Sequence, residues 1–316
     1  MNKYPIRFGV HTGQQNIEWE ELRSFWAKAD GWGYDSLWVY DHFYPVFSPD
    51  PNGPCLEGWT LLSALSQVAK RARIGAIINS NTYRNPALTA KMAATLDQIS
   101  GGRLNLELGA GWSELEHQSL GFDFKTLGGR LQLLDEACQI IKGMFSQDKT
   151  TIRGKHWSVV DAVCNPKPAQ KNLPLLIGGQ GERVLLKIVA KYADMWNAGN
   201  ADDAEMKRLI GVIERHGDAV GRNADEIEMT LMMTMCYGAP KSREESLSAF
   251  VATMAQTTSE QARERMIIGS KQECVDKIER YIKAGVSHFI FQHKPVMTSE
   301  EDMQAFAEEI MPQFRH

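Results

Sequence analysis

The feature that most constrains the fold is an alternation of short β-rich runs with longer amphipathic helical patterns along almost the whole chain. This alternation is typical of βα units built around a parallel sheet. Eight runs are predicted to be strands: residues 6–11, 36–40, 73–79, 104–109, 174–178, 194–198, 228–236 and 288–292. Helical patterns are predicted at residues 19–32, 56–69, 87–99, 127–145, 184–191, 204–220 and 271–283. Eight strands separated by helices predict an α/β fold of the TIM (β/α)8 barrel type.

Two segments interrupt the alternation. Residues 45–54 are rich in Gly and Pro, and residues 150–168 begin with a predicted hairpin around Arg153 and Gly154. We interpret both as insertions at the C-terminal mouth of the barrel. Because no repeat, low-complexity tract or linker divides the chain, residues 1–316 are predicted to form a single barrel domain.

Composition excludes several classes of partner. The chain has 35 Lys and Arg against 39 Asp and Glu, with no basic block that could follow a nucleic-acid backbone. Its five cysteines form no CxxC pair, which argues against a disulfide framework and a zinc site and favours the cytoplasm. No run approaches the roughly 20 apolar residues of a membrane span, and the N-terminus lacks the apolar core of an export signal. We expect a cytoplasmic protein without metal, membrane or nucleic acid, acting on a small molecule, with apolar helix faces that suit a homodimer.

Asp41 and His42 follow the second predicted strand, at the end where barrel enzymes place their chemistry. An imidazole exchanges protons near neutral pH, and a carboxylate accepts hydrogen bonds from ring N–H groups. A structural alternative is an aspartate that caps backbone amides beside a histidine packed under a loop. The barrel context favours a functional site.

The fourth strand ends in Gly109, Ala110, Gly111 and Trp112. The run lacks the third glycine of a dinucleotide fingerprint, because Glu114 occupies that position, so a Rossmann NAD site is not predicted. The two glycines allow the backbone to approach a flat ligand closely, with Trp112 as an aromatic wall. A plain tight turn would explain them as well.

The fifth strand runs through Gly178, Gly179, Gln180, Gly181 and Glu182 into a helix. Amides at a helix N-terminus bind anions, and glycines let a phosphate come close. The pattern predicts a grip on a phosphorylated cofactor. The alternative is a glycine-rich turn that holds no ligand.

Small polar residues follow the third strand and suit hydrogen bonds to the edge of a heterocycle: Asn79, Asn81 and Thr82. Arg84 follows them, and a surface ion pair is its expected role. Three histidines fall at or after the first, fourth and eighth strands and are predicted to line one substrate pocket, although each alone is typical of a structural histidine: His11, His117 and His293.

Set in order, residues 41–43, 79–84, 109–112 and 177–182 resemble the luciferase-like monooxygenase family, and most of all its branch that uses coenzyme F420, a deazaflavin. The resemblance runs from residue 6 to about residue 197 and continues more weakly to residue 316. It implies a TIM barrel that holds the cofactor ring across its C-terminal mouth. It also implies a bulge that backs the ring, often with a non-prolyl cis peptide, near Ile77, Ile78 and Asn79.

The resemblance further implies residue roles. Asp41 would bond the polar edge of the ring, His42 would lie near the reacting carbon, and the amides of residues 179–182 would hold the phosphate. Members that oxidise a sugar phosphate carry a glutamate directly after the strand-four glycines, where this chain has Trp112. Glu114 or Glu116 would substitute only if the loop turns it inward.

These observations predict a coenzyme F420-dependent oxidoreductase that transfers hydride, with His42, Trp112 and Glu116 as candidate catalytic residues. One alternative is an FMN-dependent monooxygenase, and another is a non-catalytic flavin-binding barrel. Residues 45–54, 113–124 and 239–266 match the family least and are expected to set substrate choice.

Overall fold

The computed structural model describes residues 3–46, 52–293 and 298–315. Its strands, in chain order, are β1 (Arg7–Thr12), β2 (Ser36–Val39), β3 (Arg73–Ala76), β4 (Leu106–Leu108), β5 (Thr150–Arg153), β6 (Ser158–Ala162), β7 (Leu175–Gly178), β8 (Met195–Gly199), β9 (Glu228–Tyr237), β10 (Met266–Gly269) and β11 (His288–His293). Eight of them form the barrel and pair in parallel, in the order β3-β2-β1-β11-β9-β8-β7-β4, and β10 pairs in parallel with β9 outside this order. These eight are the predicted strands.

Contacts between the two ends of this order close the sheet. Parallel bridges join Ile74 to Leu104 and Ser80 to Gly109, on either side of the short strands β3 and β4. Every barrel strand therefore has two neighbours, which removes the exposed edges of an open sheet. The prediction of an α/β TIM barrel is confirmed.

The ladder between β3 and β4 is interrupted at its centre. There the N–H of Ala76 donates to Oε2 of Glu107 at 2.9 Å, so a side chain takes the place of a backbone acceptor. The Ile77–Ile78 peptide bond that follows is cis. The implied non-prolyl cis peptide is confirmed, and β3 ends at Ala76 where the sequence predicted an end at residue 79.

The helices are α1 (Trp19–Gly31), α2 (Gly58–Leu65), α3 (Pro86–Ser100), α4 (Glu114–Leu120), α5 (Leu127–Ser146), α6 (Leu185–Tyr192), α7 (Asp203–Val220), α8 (Lys241–Ala255), α9 (Ser259–Glu264), α10 (Lys271–Lys283) and α11 (Glu300–Glu309). The seven predicted helices correspond to α1, α2, α3, α5, α6, α7 and α10. Helix α3 shows the local logic: Asn85 caps the N–H of Ala87, Pro86 occupies the first turn, and Gly101 ends the helix at φ 69°. Within the described ranges, no helix has the length and apolar character that a membrane crossing requires.

The insertions differ in kind. Strands β5 and β6 form the predicted antiparallel hairpin. In the first insertion, residues 47–51 lie outside the described residues. The segment 239–266 forms α8 and α9, which pack with β10 around a small separate core that includes Leu247, Val251 and Ile268.

The barrel interior has layers. An apolar cluster of Trp38, Ile77, Leu176, Met195 and Ile290 fills the middle. At the N-terminal end of the strands lies the floor, defined as Arg7, Ser36, Glu228 and His288, where Arg7 pairs with Glu228 at 2.8 Å. At the C-terminal end lies a cavity, and the apolar middle separates it from the floor.

Candidate active site

A cavity of about 320 Å3 opens at the C-terminal ends of the strands. Its walls come from the segments that follow β2, β3, β4 and β7, and from β9. The lining residues are Tyr40, Asp41, His42, Ile77, Ile78, Asn79, Ser80, Tyr83, Gly109, Ala110, Gly111, Trp112, Gly178, Gly179, Leu185 and Met232. The lining includes all of residues 109–112, two of residues 41–43 and three of residues 79–84. Of residues 177–182 it includes Gly178 and Gly179.

His42 is hydrogen-bonded to Glu116, since its Nδ1 lies 2.7 Å from Oε2 of that residue. Helix α4 begins after Ser113, whose side chain accepts the N–H of Glu116, and this start turns Glu116 inward. The glutamate also accepts the N–H of Phe43 at 2.6 Å and the hydroxyl of Tyr83 at 2.9 Å. Glu116 therefore turns toward the site, as the prediction required, but it lies behind His42 and does not line the cavity.

The electrostatics of this pair follow from its hydrogen bonds. Burial raises the pKa of Glu116, but the bonds from His42, Phe43 and Tyr83 outweigh burial and lower it to about 2. The carboxylate is ionised at neutral pH. Because Nδ1 is engaged with Glu116, a proton exchanged with a ligand moves at Nε2. The ring of Trp112 lies edge-on to His42, with 5.3 Å between ring centroids.

Asp41 is held at one oxygen only. Its Oδ2 accepts the N–H of Ser80 at 2.9 Å and pairs with Arg84 at 2.9 Å, whereas its buried Oδ1 has no hydrogen-bond partner. Burial raises the pKa of Asp41, and Arg84 opposes this. Arg84 also pairs with Glu57 at 2.8 Å and is mostly buried, so its ion pairs lie behind Asp41 and not on the surface as predicted.

Backbone without side chains forms a cradle beside Asp41. A Cβ on Gly111, which has φ 76°, would lie 2.3 Å from Oγ of Ser80. A Cβ on Gly178 would lie 2.5 Å from Cδ1 of Ile78, and one on Gly109 would lie 2.7 Å from Cγ2 of the same residue. These three positions require glycine, because a side chain would clash with the neighbouring loop. Glycine is also the residue that allows a flat ligand to approach the backbone closely.

The predicted phosphate grip is more restricted than the sequence indicated. The N–H of Gly179 donates to the backbone O of Asn197 at 3.1 Å, so this amide is engaged in the barrel. Gln180, Gly181 and Glu182 precede α6 but do not belong to the lining of the cavity. The Glu182 side chain turns away to pair with Arg208 at 2.8 Å. Only the amides of residues 180–182 remain as candidates.

Two predicted cofactor ligands and one predicted pocket histidine hold the loop instead. Asn81 donates to the O of Gly109 at 2.7 Å. Thr82 and His117 bond each other at 2.6 Å between Oγ1 and Nε2, and Nδ1 of His117 bonds the O of Ser113 at 2.6 Å. Both ring nitrogens of His117 are engaged and the ring is buried, and His117 does not belong to the lining of the cavity.

The other two histidines lie elsewhere as well. His293 stacks on Phe25 of α1 with 4.0 Å between centroids, outside the barrel, and burial lowers its pKa to about 4. His11 faces the barrel interior, where its ring packs edge-on against Tyr40 at 3.9 Å. Tyr40 lines the cavity and His11 does not, so His11 lies one layer below the predicted pocket.

Several residues of the site were missed. Ser80, Tyr83 and Met232 line the cavity, and Glu107 lies beneath it with 1% exposure and a pKa that burial raises well above its usual range. A signal for Glu107 existed: in the run 104–109 leucines occupy alternate positions, which places the glutamate on the inward face. Met232 lies in a continuous apolar run and gave no such signal.

A parallel barrel with a buried, hydrogen-bonded histidine and glutamate beside a cavity at its C-terminal mouth is the arrangement of a (β/α)8-barrel enzyme. The luciferase-like monooxygenase family matches residues 3–256. The chain belongs to this family.

Similar proteins extend over almost the whole chain. F420-dependent glucose-6-phosphate dehydrogenases from Microbacterium testaceum (strain StLB037) and Amycolatopsis mediterranei (strain U-32) are 27% and 24% identical, over 98% of this chain and 98% and 99% of theirs. A solved F420-dependent secondary alcohol dehydrogenase in complex with an F420-acetone adduct has 22% identity and a TM-score of 0.86, over 99% of this chain and 100% of that one. The coenzyme F420-dependent tetrahydromethanopterin reductase from Methanopyrus kandleri has 19% identity and a TM-score of 0.81, over 98% and 100%. These solved structures share the fold.

Proposed function

We propose that this chain is a coenzyme F420-dependent oxidoreductase that transfers hydride between the deazaflavin and a small organic substrate. The observation that carries the proposal is Oδ1 of Asp41, a buried acceptor without a partner in the same cavity as His42. Buried polar atoms are nearly always hydrogen-bonded, so this oxygen indicates a ligand with a matching donor. The similarity to F420-dependent dehydrogenases over the full chain supports the same cofactor.

The residues present fit this cofactor. Oδ1 of Asp41 would accept an N–H from the polar edge of the ring, and Ile77, Ile78 and Asn79 would back the ring. Gly109 and Gly111 let the loops of Ile78 and Ser80 pack closely at this side of the cavity, since an added Cβ would clash with those residues. The amides of residues 180–182, before α6, would bind the phosphate. When bound, the deazaflavin supplies the carbon that accepts or donates the hydride.

The protein supplies the proton path. In the oxidation direction Nε2 of His42 takes the proton of the substrate hydroxyl, and in the reduction direction it returns one. Ionised Glu116, 2.7 Å from Nδ1, orients the imidazole and stabilises its protonated form. Trp112 forms a wall beside His42 and excludes water from the reacting atoms.

A fluorescence titration of the purified protein with F420 and with FMN tests the proposal. We expect saturable F420 binding and at least tenfold weaker FMN binding. Tight FMN binding without F420 binding would favour the FMN-dependent monooxygenase, and binding of neither would favour a non-catalytic barrel. A Gly181→Asp variant sharpens the test, because a carboxylate there repels the phosphate while an added Cβ meets only Leu185 at 3.6 Å. This variant is expected to weaken F420 binding without affecting the fold.

The proposal includes a cytoplasmic homodimer. Support comes from α2 and α3, where Leu88 and Ile99 are about half exposed beside a groove that Trp59 and Met92 line. Light scattering should give twice the chain mass, and Ile99→Asp should give the monomer.

A further inference from the structure

The charge of the cavity limits what substrate it accepts. Among the described residues that line it there is no Lys or Arg, and its titratable side chains are those of Tyr40, Asp41, His42 and Tyr83. Besides the two tyrosines, the lining includes the aromatic side chain of Trp112 and the apolar side chains of Leu185 and Met232. A phosphorylated or carboxylated substrate would find no cation in this part of the wall.

The nearby cations are already engaged. Arg84 pairs with Asp41 and Glu57, both within 2.9 Å. Arg130 lies behind the glycine turn, where it donates to the O of Gly111 at 3.1 Å and lies over the ring of Phe124 at 4.2 Å. Neither side chain belongs to the cavity lining.

Two carboxylates lie close to the position where a substrate would meet His42. Glu116 is ionised directly behind the imidazole, and Asp41 precedes it in the chain. Because Arg84 pairs with Asp41 and His42 bonds Glu116, these side chains leave no unpaired cation beside His42 for an anionic substrate. Binding an anionic substrate here would also remove its water without replacing the lost hydrogen bonds.

Part of the described cavity wall is apolar and exposed to solvent. Trp112 lines the cavity and is 55% exposed, and Leu115, on the first turn of α4, is 59% exposed. An apolar substituent bound beside His42 would cover the indole face and gain from leaving water.

We propose that the substrate is an uncharged alcohol, or the corresponding carbonyl compound, with apolar substituents that pack on Trp112. This inference rests on the proposed function. In the oxidation the carbinol C–H bond breaks, and the hydride with its electron pair passes to the deazaflavin. The hydroxyl proton passes to Nε2 of His42, and the C=O bond forms. Trp112 is the specificity-determining residue.

The test compares cyclohexanol with glucose 6-phosphate, after an F420 titration of the same protein. Reduction of F420 is followed by its absorbance, and binding of cyclohexanone and of glucose 6-phosphate to the F420-loaded protein is measured separately by ligand-observed NMR. We expect turnover of cyclohexanol and binding of cyclohexanone, with kcat/KM for glucose 6-phosphate at least a hundredfold lower and no detectable binding of the phosphate.

The variants locate the effect. Trp112→Ala should lower kcat/KM for cyclohexanol about tenfold, mainly by raising KM, because a hydrophobic pocket contact is lost. Trp112→Phe should retain most of the activity. The matched control is Leu120→Ala, on the exposed end of α4 outside the cavity lining, which should leave both parameters unchanged.

The outcomes separate the two claims. If F420 binds but only glucose 6-phosphate binds and reduces it, the inference is overturned and the proposed function stands. If F420 binds and Trp112→Ala leaves the ratio of the two substrates unchanged, the role of Trp112 is overturned. If F420 does not bind, the proposed function is overturned, and the inference falls with it.

Discussion

The two ends of the barrel use buried polar groups in different ways. At the floor, Arg7 pairs with Glu228 at 2.8 Å and Ser36 bonds Nε2 of His288 at 2.7 Å, so the buried carboxylate is paired within the protein, although Nδ1 of His288 has no hydrogen-bond partner. At the mouth, the buried atoms without partners include two acceptors, Oδ1 of Asp41 and Oδ1 of Asn79. The mouth also carries the hydrogen-bonded pair of His42 and Glu116 beside a cavity. The difference indicates that the floor holds the barrel together, whereas the mouth is built for a ligand with donor groups.

The largest expected effect is at His42. His42→Ala removes the group that moves the proton and should lower kcat by roughly 10² to 10⁴. The dissociation constant for F420 should change less than about twofold, because the role of His42 is toward the substrate. Steady-state kinetics and the fluorescence titration measure the two quantities. The control at the floor, His288→Asn, should lower stability and leave kcat per folded molecule unchanged; an equal loss of kcat in both variants would remove the contrast between the two ends.

The second effect is on cofactor affinity. Asp41→Asn removes the charge of the unpartnered acceptor and should weaken F420 binding by about 10- to 100-fold, the range expected for a hydrogen bond to a charged group. Glu228→Gln at the floor is the matched carboxylate control and should leave affinity unchanged. Thermal unfolding of both variants shows how much of each remains folded. An unaltered F420 affinity in Asp41→Asn would take Asp41 out of the cofactor site.

The third effect is on stability and concerns the floor. Arg7→Met leaves the carboxylate of Glu228 buried without its partner, and should lower the free energy of unfolding by about 3 kcal/mol. The double variant Arg7→Met, Glu228→Leu should recover much of that loss, because no unpaired charge remains. Chemical denaturation measures both. A tenfold change in F420 affinity in the double variant would show that the floor contributes to binding.

The smallest effect is a pH dependence at the mouth. The pKa of Glu116 in the folded protein is lowered to about 2 from its ordinary value of 4.5, so its contribution to stability is complete above pH 4.5 and is lost as the pH falls toward 2. Between pH 7 and pH 3, the stability advantage of the wild type over Glu116→Gln should shrink by about 2 kcal/mol. Denaturation curves of both proteins at the two pH values test this. An advantage that is larger at pH 3 than at pH 7 would contradict the lowered pKa of Glu116.

Much of this contrast could be predicted from the sequence. Asp41, His42 and the glycines after β4 could be predicted because the C-terminal ends of the strands in a barrel lie close together, whatever the conformation of the loops. The hairpin of β5 and β6 followed from local turn chemistry. The direction of His293 was predictable in principle: His288, Ile290 and Gln292 share the inward face of β11, so His293 must face the helices.

Other features depend on tertiary contacts. Glu116 reaches His42 only because Ser113 sets the start of α4 and Tyr83 approaches from another loop. Thr82 and His117 form a hydrogen bond with each other across the same loops, and no local sequence pattern indicates this contact. Helix α6 begins three residues after Glu182, and the N–H of Gly179 bonds a neighbouring strand. The sequence pattern includes this amide among the phosphate ligands, because the pattern does not show where the helix begins.

The mouth of the barrel is expected to transfer hydride and not to activate oxygen. A deuterium label on the carbinol carbon of cyclohexanol tests this, when it is followed by mass spectrometry of the cofactor after one turnover with F420 and the wild-type protein. We expect the reduced deazaflavin to gain one deuterium and the ketone product to contain no oxygen from O2. A deuterium-free cofactor together with a product that carries oxygen from O2 would contradict it.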